Sequence, residues 1–419
     1  MDNYETLPVR FLQSHACGYP TDVQKLSGGL LFALALLTAA GPLGIDMYLP
    51  GMPELATQLS TSPSSAQLTI SGFMLGMALG NLFFGAISDG TGRKPAILVS
   101  SAVALAASVA CAVSPTISFL IAARFLQGLA GGCAVVVTRA VIPDIAHGRE
   151  AARGLSGLMA ISGFMPAIAP VLGGLIIPAF TWRGVFWTIA AVNLAQILIA
   201  WRFVPETLPP ERRTRGTLRT IFPRMGRCLR RPAFLGYMVA AGLGFGTLFS
   251  YISSSPLVLQ VQLGVTPTTF SLIFGGIALL IPLSNSINMR LVKTHQPRTL
   301  LVVALSVDIL AGLVLLAYSQ LGPSLTMVPF IAILSAMAGF IMANASALAV
   351  EEIRDIGIGA GTGAMGFFQF IIGGVVPPLV ALGSNPTASM ATGILTCAGL
   401  ALLGVLLGST APHSRPKNI

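Results

Sequence analysis

Few side chains in this sequence can do chemistry, and that scarcity directs attention to those that remain. Only 9% of the 419 residues are charged and 54% are hydrophobic. Three ionisable residues fall inside long apolar segments. Asp46 lies in Gly44-Ile45-Asp46-Met47-Tyr48-Leu49-Pro50, Arg124 begins Arg124-Phe125-Leu126-Gln127-Gly128, and Asp308 stands alone. A charged group inside a lipid bilayer costs ~2.5–3.5 kcal/mol on insertion scales, so each is a candidate functional residue. Apolar surroundings disfavour the charged form of a carboxylate, so Asp46 could load a proton on one side and release it on the other as its exposure changes. Its competing reading is a helix-end residue in the interfacial layer, because Pro50 follows so closely. Asp308 reads first as a structural hydrogen-bonding group. Arginine stays charged at physiological pH, so a buried Arg124 needs a carboxylate or carbonyl partner, and near Asp46 its field would favour the ionised acid. The alternative has Arg124 reaching to the nearer interface.

Two further constellations carry mechanical rather than chemical signals. In Gly85-Ala86-Ile87-Ser88-Asp89-Gly90-Thr91-Gly92-Arg93-Lys94-Pro95, Asp89 can pair with Arg93 or a more distant arginine, and Gly92 permits a tight turn. Gly163, Pro166, Pro170, Gly173 and Gly174 recur at steps of three and four. They form one small-residue face with its hydrogen-bond ladder broken twice, which fits a hinge face and an ordinary kinked helix equally well. No His/Asp/Glu cluster, metal motif or phosphate loop is present, so neither a metal nor an organic cofactor is expected. His15, His147, His295 and His413 all fall in tails or connections outside the apolar blocks, expected to be cytoplasmic, which excludes a buried histidine relay. The five cysteines lack metal-ligand spacing and read as free thiols, with Cys17 and Cys228 on the reducing side.

The elements that must position these residues are membrane-spanning helices. Apolar blocks of roughly 20 residues suit a ~30 Å hydrocarbon core, and none shows the alternation of a β-barrel. The predicted spans are 28–52, 66–88, 96–114, 117–141, 154–179, 184–204, 233–254, 267–289, 299–319, 325–349, 358–382 and 388–408. The 46 glycines suit close helix packing in lipid, as the spacing of Gly72, Gly76 and Gly80 and of Gly128 and Gly132 illustrates. The division is a tail (1–27), six spans (28–204), a basic linker (205–232), six spans (233–410) and a second tail (411–419). All but Arg124 and Arg183 of the 24 Lys and Arg fall in the tails or in alternate connections. That is the positive-inside pattern. It puts both termini in the cytoplasm and accounts for the net charge of +10 without any nucleic acid. Trp182 and Trp187 fall near one predicted interface and Trp201 near the other, as aromatic belts would place them. A signal peptide is not expected, because the first apolar block follows a long polar tail and contains Pro42 and an acid.

At these residues the chain resembles the major facilitator superfamily, and within it the drug:proton antiporters of the bicyclomycin/chloramphenicol-resistance type. Asp46 to Pro50 is similar to that group's first-helix signature, whose acid is implicated in proton coupling. Gly85 to Lys94 resembles the superfamily's loop motif, whose Asp and Arg form a conformation-dependent latch. Arg124 to Gly128 resembles the fourth-helix motif with a buried arginine, and Arg139 and Asp144 follow the pattern at that helix's cytoplasmic end. Gly163 to Gly174 is similar to the fifth-helix motif of exporters, which favours the hinge reading. Pro205-Glu206-Thr207-Leu208 fits the common exit from the sixth span. Asn344, Ala347, Gly361, Gly366 and Gln369 extend the likeness into the second half. Gly90 departs from it where a basic residue is usual, Pro166 where glycine is common, and the first span has one acid where some relatives have two.

The resemblance implies an all-α membrane protein of the major facilitator fold, with twelve helices in two six-helix halves, in a bacterial inner membrane. It implies a monomer exchanging protons for a small-molecule drug, with Asp46 and Arg124 in proton coupling. Met47, Tyr48, Asn81, Tyr251, Asn344 and Gln369 are the expected cavity residues, chosen by depth and type. The nearest alternative is a transporter of one metabolite on the same fold. An integral membrane enzyme or receptor is more distant, since no catalytic cluster or soluble domain is evident.

Overall fold

The structure is a computed structural model and describes residues 27–213 and 217–410. Expectations for the two tails, including those for Cys17, His15 and His413, lie outside the described residues. Among the described residues, eleven helices are long and apolar enough to cross a membrane. Ten are single spans: α1 (Gly28–Gln58), α2 (Pro63–Thr91), α3 (Arg93–Ala112), α4 (Ile117–Ile145), α7 (Pro232–Gln262), α8 (Pro267–Leu291), α9 (Pro297–Leu321), α10 (Leu325–Glu351), α11 (Ile358–Val380) and α12 (Pro386–Gly408). The eleventh, Gly148–Phe203, has 56 residues. At ~1.5 Å per residue it would be about 84 Å long, far more than one ~30 Å hydrocarbon core requires.

This stretch is two spans, α5 (148–180) and α6 (182–203), reversing at Thr181, whose φ is 60°. The turn is pinned from α1. The Trp182 backbone N–H donates to Glu54 Oε2 at 3.1 Å, and its indole Nε1 donates to Gln58 Oε1 at 2.9 Å. At the other end of α6, Phe203 packs against Gly29. Trp182 is therefore fully buried, correcting its expected place in an aromatic belt, whereas Trp187 and Trp201 are exposed on the outer surface. Arg183, the exception to the charge pattern, donates to Gln58 Oε1 and to the Ser114 carbonyl at this same end.

Helix α1 runs to Gln58, beyond the predicted limit at 52, and it is not continuous. α-Helical segments end at Thr38 and Asp46, and a 3-10 turn over Leu49–Gly51 leads into Met52–Gln58. Pro42, Pro50 and Pro53 each remove a backbone donor, which is why the ladder breaks here. Asp46 thus closes a segment in mid-span, about 18 Å inside the helix end at ~1.5 Å per residue. This places it well away from the helix-end position of the competing reading.

Helices α1–α6 and α7–α12 form two halves. In the first, α2 and α4 approach so closely that a Cβ at Gly76 or Gly128 would collide with the carbonyls of Phe125 and Phe73. In the second, Gly236 of α7 faces Gly404 and Gly408 of α12. The halves meet along α2–α11 and α5–α8. Five hydrogen bonds tie them together at the end away from the basic connections. Gln67 Nε2 donates to the Ser253 carbonyl (2.5 Å), Ser71 to Gly374 (2.5 Å), Ser64 to Pro378 (3.1 Å), Gln260 to Pro50 (3.0 Å) and Thr268 to Gly174 (3.1 Å). At the basic end a linker helix, Thr217–Leu229, lies against α2, α7 and α11, with Phe222 against Phe83 at 6.2 Å.

Candidate functional site

Two chambers lie in line between the halves. The inner one, ≈ 240 Å³, has its two charged residues on one side and its five aromatic residues on the other. The first half contributes Thr38, Asp46, Arg139 and Ser162, and the second contributes Phe245, Phe249, Tyr251, Phe274 and Phe370. The aromatic wall is rigid because its rings brace one another. Phe245 and Phe249 centroids are 4.6 Å apart, Phe370 meets Phe245 edge-on at 6.2 Å, and Tyr251 stacks on Phe274 at 5.4 Å. Asp46 is 4% exposed, and that exposure is to this chamber. No protein group donates a hydrogen bond to its carboxylate among the described residues. Tyr251 lines the facing wall, its hydroxyl also without a partner.

The outer chamber, ≈ 670 Å³, lies toward the basic end and shares Arg139 and Phe370 with the inner one. Asn81, Gly85 and Asp89 line one side, Gln369 and Gly366 the other, and Arg224 of the linker helix its mouth. Asn81, Tyr251 and Gln369 therefore line these chambers. Met47, Tyr48 and Asn344 do not. The break after Asp46 turns Met47 and Tyr48 into the first half, where they are 1% and 0% exposed. Asn344 is held between α10 and α8, donating to Asn288 Oδ1 at 2.7 Å. Of the two residues that follow the family pattern near the cytoplasmic end of the fourth helix, Asp144 joins the Arg93 latch, whereas the Arg139 side chain lines the neck between the chambers.

The structure does not give Arg124 an acidic partner. Its Nη1 donates to Gln127 Oε1 at 2.5 Å, while Nε and Nη2 have no hydrogen-bond partner. Its cation is caged by rings instead, at 4.5 Å from Tyr48, 4.3 Å from Phe73 and 5.6 Å from Phe186. Gln127 and Asn193 both donate to Ser108 Oγ, which ties α3, α4 and α6 together beneath this cage. The Tyr48 hydroxyl is 3.0 Å from Thr69 Oγ1. Arg124 thus bears on Asp46 through Tyr48 and the break in α1, not by direct pairing. In the second half, Asp308 is fully buried; Thr247 donates to its Oδ2 at 3.2 Å and Oδ1 has no partner.

At the basic end Arg93 is the hub of an ion-pair cluster. It contacts Asp89 Oδ1 at 2.7 Å and Asp144 Oδ2 at 2.9 Å, and it donates to Ser88 Oγ. Its backbone N–H donates to Glu206 Oε1 at 2.9 Å, putting a carboxylate at the start of α3, where the helix dipole favours negative charge. Gly92 holds φ at 105°, and a Cβ there would collide with the Glu206 carboxylate. The cluster joins α2, α3, α4 and the exit from α6, all within the first half. Its counterpart beside the second half is one pair, Arg231–Asp355, whose guanidinium holds the exposed Asp355 carboxyl below its usual range.

The small-residue face of α5 packs against two helices. A Cβ at Gly173 would collide with the Met47 carbonyl of α1, and one at Gly174 with Ser271 of α8. Pro166 lines the inner chamber between these contacts. Sequence reasoning missed the phenylalanine wall, the Ser108–Gln127–Asn193 network and the role of Glu54. Phenylalanines are common in any membrane helix, and nothing in their spacing marks the four that converge. Glu54 had a signal, an acid at the end of a span next to Pro53, but the predicted span stopped short of it.

Residues 34–378 match the family model for the Major Facilitator Superfamily. The uncharacterized MFS-type transporter YdgK of Bacillus subtilis strain 168 is 34% identical over 379 residues, 90% of this chain and 93% of its own. A bicyclomycin resistance protein homolog of Haemophilus influenzae is 31% identical, covering 87% of this chain and 92% of its own. The multidrug resistance protein MdtL of Escherichia coli O45:K1 is 33% identical over 68% of this chain and 71% of its own. Among solved structures, a bacterial homolog of the human lysosomal transporter Spinster superposes with a TM-score of 0.71 at 15% identity, over 90% of this chain and 94% of its own.

Proposed function

Because the chain belongs to the major facilitator superfamily, we propose that it is a drug:proton antiporter of the bacterial inner membrane, exporting small amphipathic drugs by alternating access. The observation that carries this reading is Asp46: a carboxylate with no hydrogen-bond partner among the described residues, buried in mid-span and exposed to the inner chamber between the halves. Such a group binds a proton more readily when dry and gives it up when wet. With the basic end toward the cytoplasm, the structure corresponds to a cytoplasm-facing state, its chambers leading to that end and its opposite end tied shut by the five cross-half bonds. Rocking of the halves about the α5–α8 and α2–α11 contacts would break those bonds and re-expose Asp46 on the other side. Substrate enters from the cytoplasm, displaces the proton or is linked to its loss, and leaves outward; a proton then returns with Asp46. The aromatic wall suits phenicol-sized or bicyclomycin-sized drugs, because apolar surfaces discriminate weakly among them. The bacterial resistance proteins among the relatives support the same reading. A transporter of one metabolite would need more polar groups converging on the inner chamber than its wall supplies.

The test is drug susceptibility of an efflux-deficient bacterium expressing the protein, across a panel including phenicols and bicyclomycin. Wild type should raise tolerance to at least one compound. Asp46→Asn, at matched membrane abundance, should abolish the gain. No tolerance to any compound at normal wild-type abundance would refute drug export, and full tolerance with Asp46→Asn would refute the proton site.

A further inference from the structure

The charges around the outer chamber do not balance, and the imbalance points to a class of substrate. Arg139 and Arg224 both line this chamber, and neither forms a salt bridge among the described residues. One carboxylate, Asp89, also lines it, but that group is engaged by Arg93 at 2.7 Å. The Asn81 and Gln369 amides stand on opposite walls of the same space. The positive-inside tendency accounts for basic residues in connections near lipid headgroups. It does not account for Arg139, which projects from the body of α4 into the neck where the two chambers join. The Arg139 side chain is exposed to this shared space and forms no salt bridge among the described residues, and its planar fork suits a carboxylate or phosphate. Beyond Arg139 lies the aromatic wall.

We infer that the cavity accepts small amphipathic organic anions, with an aromatic or aliphatic body in the inner chamber and an anionic head on Arg139, after capture from the cytoplasm by Arg224. The inference rests on the export reading above and extends its substrates beyond uncharged drugs. Arg139 is then a specificity-determining residue.

The test uses three ligands of one shape and different charge: 1-naphthylacetate, its N-methylamide and 1-naphthylethylammonium. Binding to the purified full-length protein in detergent is measured at neutral pH and low salt. The acid should bind more tightly than the amide, and the ammonium most weakly. Arg139→Gln should lower the acid-to-amide affinity ratio about tenfold, as expected for loss of a charge-assisted hydrogen bond, with Arg139→Lys restoring part of it. Arg224→Gln should mainly slow acid association and weaken its salt dependence. Equal binding of acid and amide by wild type, or no binding of the acid, would overturn the inference. So would equal weakening of all three ligands by Arg139→Gln, which is the signature of a conformational role. Drug tolerance of cells expressing wild type separates the two readings. Tolerance without anion preference removes this inference alone, whereas no tolerance to any drug removes export itself.

Discussion

The two halves share one six-helix plan and divide the work unequally. Both charged residues of the inner chamber, Asp46 and Arg139, come from the first half, and all five aromatic residues of its wall come from the second. The same asymmetry runs deeper. The first half buries a cation, Arg124, inside three rings and an amide network, and gathers its basic-end charges on Arg93. The second half buries an acid, Asp308, with one threonine, and has one exposed pair beside it. A duplicated architecture can thus specialise, with one half carrying the charged groups of the inner chamber and the other its braced aromatic surface.

The largest test of this division compares the two buried charges. Arg124 loses hydration worth several kcal/mol and leaves two guanidinium nitrogens without a hydrogen-bond partner. The three rings return up to about 2 kcal/mol each, and Gln127 adds a charge-assisted bond. These terms nearly cancel, so Arg124→Met should change thermal stability little. It should nevertheless cut proton-driven export at least about tenfold, because Tyr48 and the break that aims Asp46 lose their anchor. Asp308→Asn keeps the shape and can still accept from Thr247, so export should stay within about twofold of wild type. Everted-vesicle transport and unfolding temperature, measured on both variants, decide the matter. Loss of export with Asp308→Asn but not with Arg124→Met would invert the comparison.

A smaller effect separates two glycines that start helices at the basic end. Gly92 before α3 and Gly357 before α11 both have positive φ, 105° and 137°. Alanine at either site incurs backbone strain of ~1–3 kcal/mol. At Gly357 nothing lies within 4 Å of the new methyl group. At Gly92 the methyl group displaces the Glu206 carboxylate from the start of α3 and strains the Arg93 cluster. Gly92→Ala should therefore lower the unfolding temperature clearly more than Gly357→Ala. Equal shifts would mean that the cluster adds nothing to the first half's stability.

What the sequence made legible follows from the range of each interaction. Span number, the six-plus-six division and the loop hub were readable because hydropathy, charge placement and the Asp89–Gly92–Arg93 run are local. The orientation of Met47 and Tyr48 was not, because the α-helical segment ends at Asp46 and the faces they present no longer follow its period. Arg124's cage was equally hidden, since its rings come from α1, α2 and α6, far apart in sequence. Arg139 was placed by its position near a helix end, and only the gap between the halves shows which way it points. Asn344 looked like a cavity amide by depth alone, whereas the amide that satisfies it lies 56 residues away.

The smallest and most selective effect belongs to the aromatic wall. Phe249 is 3% exposed, lines the inner chamber and braces Phe245 at 4.6 Å. Removing its ring deletes one surface a drug can stack on and loosens its neighbour. Aromatic pairs contribute ~0.5–1.5 kcal/mol beyond burial, so Phe249→Ala should weaken export of aromatic drugs about three- to tenfold. Compact aliphatic compounds should be less affected, and the rank order across a panel should change. No charge is altered, so the pH at which export is half-maximal should match wild type for every compound still transported. If that pH moves, the aromatic wall takes part in proton loading and the halves are not divided as described. If all compounds fall by one common factor at an unchanged pH, Phe249 sets the rocking of the halves rather than substrate choice.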